Sequence, residues 1–190
     1  MFACCPDKFP IKSSFLDTRL CCETFKAYVT SQGTGKVFVV DVGSDTPSVV
    51  KTLTVGASPF GIATYAAGNR AYVANGTDGT VTVIDTSANS GNGSVLTTYT
   101  GLPVGVNANA VAVSGDGTTI YVTNSNNSTL YAMSTTGPNA GSVVASYTTM
   151  TQGLNNGLTG LAVNPGSSTT TLYVVNSDAR IPSVTIIPVS

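Results

Sequence analysis

The 190 residues carry 8 basic and 9 acidic side chains, a net charge of −1, and no histidine. That balance leaves no basic stripe to neutralise a phosphate backbone, so nucleic acid is not an expected partner. The missing histidine removes Ser-His-Asp and Cys-His machinery and every histidine-ligated metal from within the chain.

Only 9% of residues are charged, with 20 glycines and abundant Thr, Ser, Asn and Val. This is the composition of a turn-rich β protein whose polar surface is built from hydroxyls and amides; it points to an extracytoplasmic or surface-exposed setting, with a protein embedded in a larger assembly as the alternative. No apolar run approaches the ~20 residues of a spanning helix, so membrane insertion is not expected, and the first residues lack the charged-then-apolar order of a signal peptide.

Residues 1–25 differ from the rest: they hold all four cysteines and no glycine, and composition shifts near Lys26. The expected division is therefore an N-terminal cysteine-containing segment, 1–25, and a repeat domain, 26–190. The vicinal pairs Cys4-Cys5 and Cys21-Cys22 have two cross-links open to them in an oxidising compartment. Free thiols or a leader are the competing readings. A four-thiolate metal site is disfavoured, because adjacent cysteines diverge along the backbone and fit a tetrahedron poorly.

From Lys26 onward one pattern recurs. Tyr28-Val29-Thr30-Ser31, Tyr72-Val73-Ala74-Asn75, Tyr121-Val122-Thr123-Asn124 and Tyr173-Val174-Val175-Asn176 each open an alternating apolar strand, with their tyrosines 44, 49 and 52 residues apart. A period of about 40 to 50 residues made of short strands and Gly/Asn turns is the signature of a radial β architecture, in which each sheet buries its faces against its neighbours. In the first full repeat, Gly61–Thr64 is predicted as an inner strand, followed by a turn through Asn69, a second strand Arg70–Asn75, a third Val81–Asp85 and an outer strand Val95–Thr100. Alternation sets Val81 and Val83 on one face and Thr82 and Ile84 on the other. The next repeat reads Ala110–Val113, a Ser114-Gly115-Asp116-Gly117 turn, Ile120–Asn124, Thr129–Met133 and Val143–Thr149. The last gives Gly160–Val163, a turn through Asn164-Pro165-Gly166, Leu172–Asn176 and Val184–Ile187.

Tyr28 to Val37, Tyr72 to Val81 and Tyr121 to Leu130 are each nine residues apart, whereas Tyr173 to Val184 is eleven. The two extra residues fall in the loop around Asp178 and Arg180, and loops of this kind carry recognition more often than average. Asp78, Asp116, Asp178 and Arg180 are the charged loop residues available to a binding site, although Asp also favours turns for its local hydrogen bonds.

The expected fold is all-β: a β-propeller of four-stranded antiparallel blades, about four in number, with three, four, four and three strands. Two models compete for the incomplete first and last blades. In one, Phe9–Leu16 or Thr18–Glu23 supplies strands that close a compact ring, and the chain is a monomer. In the other, the chain is an open arc, a partial propeller whose unpaired edges recruit another copy.

Ala110-Val111-Ala112-Val113-Ser114-Gly115-Asp116-Gly117 followed by Tyr121-Val122-Thr123-Asn124, and Ala71-Tyr72-Val73-Ala74-Asn75 followed by Val81-Thr82-Val83-Ile84-Asp85, resemble the YVTN-type β-propeller repeat, with the likeness running from Lys26 to Ser190. The resemblance implies a propeller that is exported or displayed at the cell surface, related to lactonase-like enzymes and to surface-layer components; family members are typically seven-bladed. It names no ligand. A non-catalytic scaffold presenting Asn/Ser/Thr/Gly loops to a protein or polysaccharide partner is the first functional expectation. A lactonase-like hydrolase and a structural subunit that self-associates through its incomplete blades are the alternatives. No cofactor or metal is expected: Asn124-Ser125-Asn126-Asn127 offers amides without the carboxylates that a hard cation needs.

Overall fold

The computed structural model describes residues 25–89, 91–148, 157–164, 170–177 and 182–189. Apart from two 3-10 turns, every regular element among them is a β-strand. The first sheet comprises β1 (Lys26–Ser31), β2 (Lys36–Asp41) and β3 (Ser48–Thr54). The second comprises β4 (Pro59–Tyr65), β5 (Arg70–Asn75), β6 (Thr80–Asp85) and β7 (Ser94–Tyr99). The third comprises β8 (Ala108–Val113), β9 (Thr119–Asn124), β10 (Leu130–Ser134) and β11 (Val143–Tyr147), and the last β12 (Leu158–Asn164), β13 (Thr170–Asn176) and β14 (Ser183–Val189). Each is an antiparallel meander in chain order, giving the expected three, four, four and three strands. This is a partial β-propeller of four blades. The cysteines and the proposed closing strands lie outside the described residues, as does the Pro165-Gly166 turn.

Period two along each strand gives every blade two unlike faces. One carries the repeat tyrosine with its cross-strand partners: Tyr72 opposite Val83 and Ala74 opposite Val81 in the second blade. The other carries the following valine: Ala71, Val73 and Ile84. The tyrosine face of the second blade packs on Ile120, Val122 and Met133 of the third. That of the third, Tyr121, Leu130 and Ala132, packs on Leu172, Val174 and Ile187 of the fourth, and Tyr28, Val37 and Val39 of the first pack on Ala71, Val73 and Ile84. One rule holds at all three junctions, tyrosine face against the next blade's valine face. Burying each of these Val, Leu and Ile side chains contributes roughly 1.5 to 3 kcal/mol.

The inner strands start two residues earlier than alternation predicts, because each carries a bulge near its start, at Pro59/Ile62, Ala108/Val111 and Leu158/Gly160. A bulge breaks the period on which the sequence reading relied. In the third blade the displaced Ala110 N–H donates to Thr123 Oγ1 at 2.9 Å, so the threonine of the Tyr-Val-Thr-Asn motif repairs the ladder. The bulges also bring neighbouring blades together near the axis. Asn109 Nδ2 donates to the Leu158 carbonyl at 3.2 Å, and Thr30 Oγ1 to the Phe60 carbonyl at 2.7 Å. At Gly61 a Cβ would stand 2.7 Å from the Asn109 carbonyl oxygen, so only glycine permits this approach.

The motif asparagines are buried clamps on the following turn. Asn124 Oδ1 accepts from the Asn107 and Asn126 N–H groups at 2.9 and 3.0 Å, and its Nδ2 donates to Asn127 Oδ1 at 3.0 Å. Asn75 Nδ2 donates to Thr80 and Thr82 hydroxyls at 3.0 and 2.9 Å. At the other end of the blades, Tyr65 Oη donates to the Asp116 carbonyl at 2.9 Å, its ring lying where a Cβ on Gly117 would stand. Gly117 adopts the left-handed φ of 72° expected of the Asp-Gly turn.

Replacing Ile120, fully buried between the second and third blades, by alanine is expected to lower the unfolding free energy by about 2 to 5 kcal/mol. Val144→Ala, at an exposed outer-strand position, should stay within about 0.5 kcal/mol. Urea denaturation measures both, and equal effects would contradict blade-to-blade burial as the source of stability.

Candidate ligand-binding cleft

Two residues before each repeat tyrosine stand Lys26, Arg70, Thr119 and Thr171. The hairpin register places Lys26 opposite Asp41 and Arg70 opposite Asp85, while the third and fourth blades pair Thr119 with Ser134 and Thr171 with Pro188. The first two blades thus carry cross-strand ion pairs where the last two carry none. Lys26 Nζ donates to Asp41 Oδ2 at 2.8 Å. Arg70 Nη1 lies 3.5 Å from Asp85 Oδ1 and donates to the Asn69 carbonyl at 3.0 Å.

These pairs flank a cleft of about 270 Å³ at the junction of the first two blades, lined by Lys26, Tyr28, Thr64, Arg70 and Thr86, with Ala66 and Gly91. The β6–β7 loop closes one side and is tied to the first blade: Lys51 Nζ donates to the Gly93 carbonyl at 2.9 Å, and Tyr28 Oη reaches the Gly91 carbonyl at 3.5 Å. Burial, and then the nearby Asp85 charge, raise the Tyr28 phenol above its ordinary value, which keeps it protonated and able to donate.

The hydrogen bond from Lys26, then that from the Gly43 N–H, hold Asp41 below the usual carboxylate range. Asp85 is lowered by the Ser87 hydroxyl and N–H and by Arg70. Both carboxylates are therefore ionised, weakly basic acceptors at neutral pH. The cleft wall itself carries the cationic Lys26 and Arg70 with the hydroxyls of Tyr28, Thr64 and Thr86, and the aspartates stand behind the cations as their ion-pair partners; the hydroxyls can both donate and accept. Among the described residues, no three His, Cys, Asp or Glu side chains converge on a point able to hold a metal ion. A smaller hollow of about 130 Å³ at the opposite end is lined by Thr30, Gln32, Pro59 and Phe60.

The charged loop residues singled out from the sequence do not gather. Asp78 Oδ2 accepts from the Ala57 N–H at 2.6 Å, joining the β5–β6 turn to the β3–β4 connection. Asp116 lies in the β8–β9 turn, at the other end of the blades. There its carboxylate accepts from Ser114 Oγ at 2.6 Å, Thr118 N–H at 3.0 Å and Thr118 Oγ1 at 2.9 Å. Each is held in a turn. Asp178 and Arg180 lie outside the described residues. Lys26 and Arg70 escaped the sequence reading because they sit on strands rather than loops. Aligning the repeats on their tyrosines reveals them, since the basic residue and its facing aspartate appear together in two blades and vanish together in the other two.

Asp116 is lowered by the Ser114 hydroxyl, the Thr118 N–H and the Thr118 hydroxyl. Because Asp41, Asp85 and Asp116 all titrate lower when folded, the unfolded chain binds more protons. Their stabilisation is present above the unfolded carboxylate value of about 3.9 and is lost as pH falls from there through the folded values. Thermal unfolding should shift down across that acid window, and Asp116→Asn should flatten the shift; an identical profile in the variant would show that the turn carboxylate does not contribute.

No curated protein matches the chain. Among solved structures it is similar to hydrazine synthase from Kuenenia stuttgartiensis, with a TM-score of 0.67 and 19% identity over 93% of this chain and 49% of that one. It is likewise similar to a Lactobacillus plantarum protein (TM-score 0.62, 20% identity, 86% of this chain and 52% of that one). A third is a candidate 6-phosphogluconolactonase from Bacteroides fragilis (TM-score 0.62, 14% identity, 87% and 52%). The chain thus spans about half the length of these structures, and at such identities the likeness shows the fold alone. The family model described as Lactonase, 7-bladed beta-propeller matches residues 23–156. Those residues hold the first three blades with their shared tyrosine-to-valine junctions, and the chain belongs to that lactonase-type seven-bladed β-propeller family.

Proposed function

We propose that this chain is a non-catalytic propeller scaffold of the YVTN-repeat type, displayed outside the cytoplasm, that binds polysaccharide in the cleft between its first two blades. The cleft's lining carries the reading. Lys26 and Arg70 share it with the hydroxyls of Tyr28, Thr64 and Thr86, and each cation is paired with an aspartate at its edge, Asp41 and Asp85. Because the paired charges cancel, a free anion gains little there, whereas a sugar hydroxyl donates to a carboxylate and accepts from a cation in one contact. The low overall charge and the Asn/Ser/Thr-rich turns suit a polysaccharide partner and a surface setting.

A panel of neutral and acidic oligosaccharides measured by titration calorimetry tests this. Neutral sugars are expected to bind, and Arg70→Ala to weaken them at least about tenfold, roughly 1.4 kcal/mol. Binding unaffected by Arg70→Ala would remove the cleft from the account.

The family match and the candidate 6-phosphogluconolactonases among similar structures support a second reading, a lactonase-like hydrolase. Turnover of 6-phosphogluconolactone that disappears in Asp178→Ala or Arg180→Ala would establish it in place of the scaffold.

A further inference from the structure

Asparagine followed by glycine is chemically labile, because glycine, lacking a Cβ, lets its amide nitrogen reach the neighbouring carboxamide carbon. The chain has three such pairs, at Asn75, Asn92 and Asn156, the last outside the described residues. Asn75-Gly76 is locked. Asn75 is fully buried, its Nδ2 donates to Thr80 and Thr82, and the Gly76 N–H donates to the Ser58 carbonyl at 2.9 Å. Asn92-Gly93 stands in the β6–β7 loop, beside the Gly91 that lines the cleft. Asn92 is only half-buried, and among the described residues nothing holds its carboxamide. The fold itself demands the glycine that follows: Gly93 has a left-handed φ of 76°, and a Cβ there would stand 3.1 Å from Tyr28 Oη. Gly93 is held through both its polar groups. Its N–H donates to the Ala88 carbonyl at 2.9 Å, and its carbonyl accepts from Asn89 Nδ2 at 3.0 Å and Lys51 Nζ at 2.9 Å. Of these partners only Lys51 comes from the first blade.

We propose that Asn92-Gly93 is a self-modifying site, whose conversion to isoaspartate releases the β6–β7 loop from the first blade and opens the cleft. The Gly93 amide nitrogen bonds to Asn92 Cγ, and its proton leaves with the carboxamide nitrogen as ammonia, closing a succinimide. Water then splits the ring. Cleavage at Cγ gives aspartate, and cleavage at the main-chain carbonyl of residue 92 gives isoaspartate. No oxidant or enzyme is required. Isoaspartate lengthens the main chain by one methylene directly before Gly93 and adds a negative charge. Gly93 has no slack to absorb it, because Tyr28 Oη and Ile84 Cγ2 lie 3.1 and 3.3 Å from where its Cβ would be. The added length is taken up by losing the bonds to Ala88 and Lys51. Before attack, the Gly93 N–H must leave the Ala88 carbonyl, a local opening that the Lys51 bond opposes. Lys51 thus sets the pace, and the conversion is independent of what the cleft binds.

Peptide mapping by mass spectrometry, after incubating the 190-residue chain in mildly alkaline buffer, follows the conversion. The Asn92 peptide should gain the mass of an amide-to-acid exchange at least about tenfold faster than the Asn75 peptide, because Asn75 reacts only through wider opening of its blade. Isoaspartyl methyltransferase should then label the Asn92 peptide. Lys51→Met keeps the apolar stem and drops the donor, and should speed conversion about fivefold, the worth of one ordinary hydrogen bond. Asn92→Gln should stay unconverted, with its Gly93 amide protected from hydrogen exchange. In the converted chain that protection should be lost. Equal rates at Asn92 and Asn75 would overturn the assignment of the site, and an unchanged rate in Lys51→Met would overturn the tether. A converted chain with Gly93 still protected would overturn release of the loop.

Discussion

A three- or four-stranded sheet of short strands has two faces and cannot bury both alone, and the structure follows from how this chain meets that constraint. Each blade lends its tyrosine face to the valine face of the next, so the fully buried Val37, Ile84, Ile120, Leu130, Leu172 and Ile187 lie between sheets and not within any one of them. Stability is consequently a property of neighbours, as in other repeat architectures. The free energy lies in non-directional apolar contact.

Polar groups are arranged around that packing. The motif threonine and asparagine are spent inside the blade: Thr123 repairs the inner-strand bulge and Asn124 organises the following turn. Asn109 ties the inner strand β8 to β12 of the next blade, and Thr30 ties β1 to the inner strand β4, while glycine at position 61 lets the backbones of β4 and β8 approach. Such hydrogen bonds add little net free energy each, but buried amides left unpaired would cost more, so their placement restricts which register is tolerated. The residues that look most polar in the repeat are therefore architectural, whereas the charged side chains at the strand starts, Lys26 and Arg70 where later blades have threonines, line the cleft between the first two blades.

Much of this was legible in the sequence. The spacing of the four tyrosines marks the blades, the alternation Val81-Thr82-Val83-Ile84 assigns each residue to its face, and the expected three, four, four and three strands match the strands among the described residues. The inner-strand starts were misplaced because a bulge inserts a residue with no compositional mark. Asp78 and Asp116 drew attention as charged loop residues, yet a carboxylate used for turn hydrogen bonds and one available to a ligand are the same letter. Only the partners, Ala57 for one and Ser114 and Thr118 for the other, distinguish the two.

What the chain determines by itself is everything that depends on local period: strands, hairpin turns, the two faces of each sheet and the number of repeats. Those features arise from interactions between residues close in sequence, and the residues record them directly. The tertiary structure alone decided that faces pair in one sense and that the ion pairs of Lys26 and Arg70 border one cleft. These depend on contacts between residues of different blades, 30 or more positions apart, set by how one sheet stacks on another, and no local pattern in the sequence encodes that geometry.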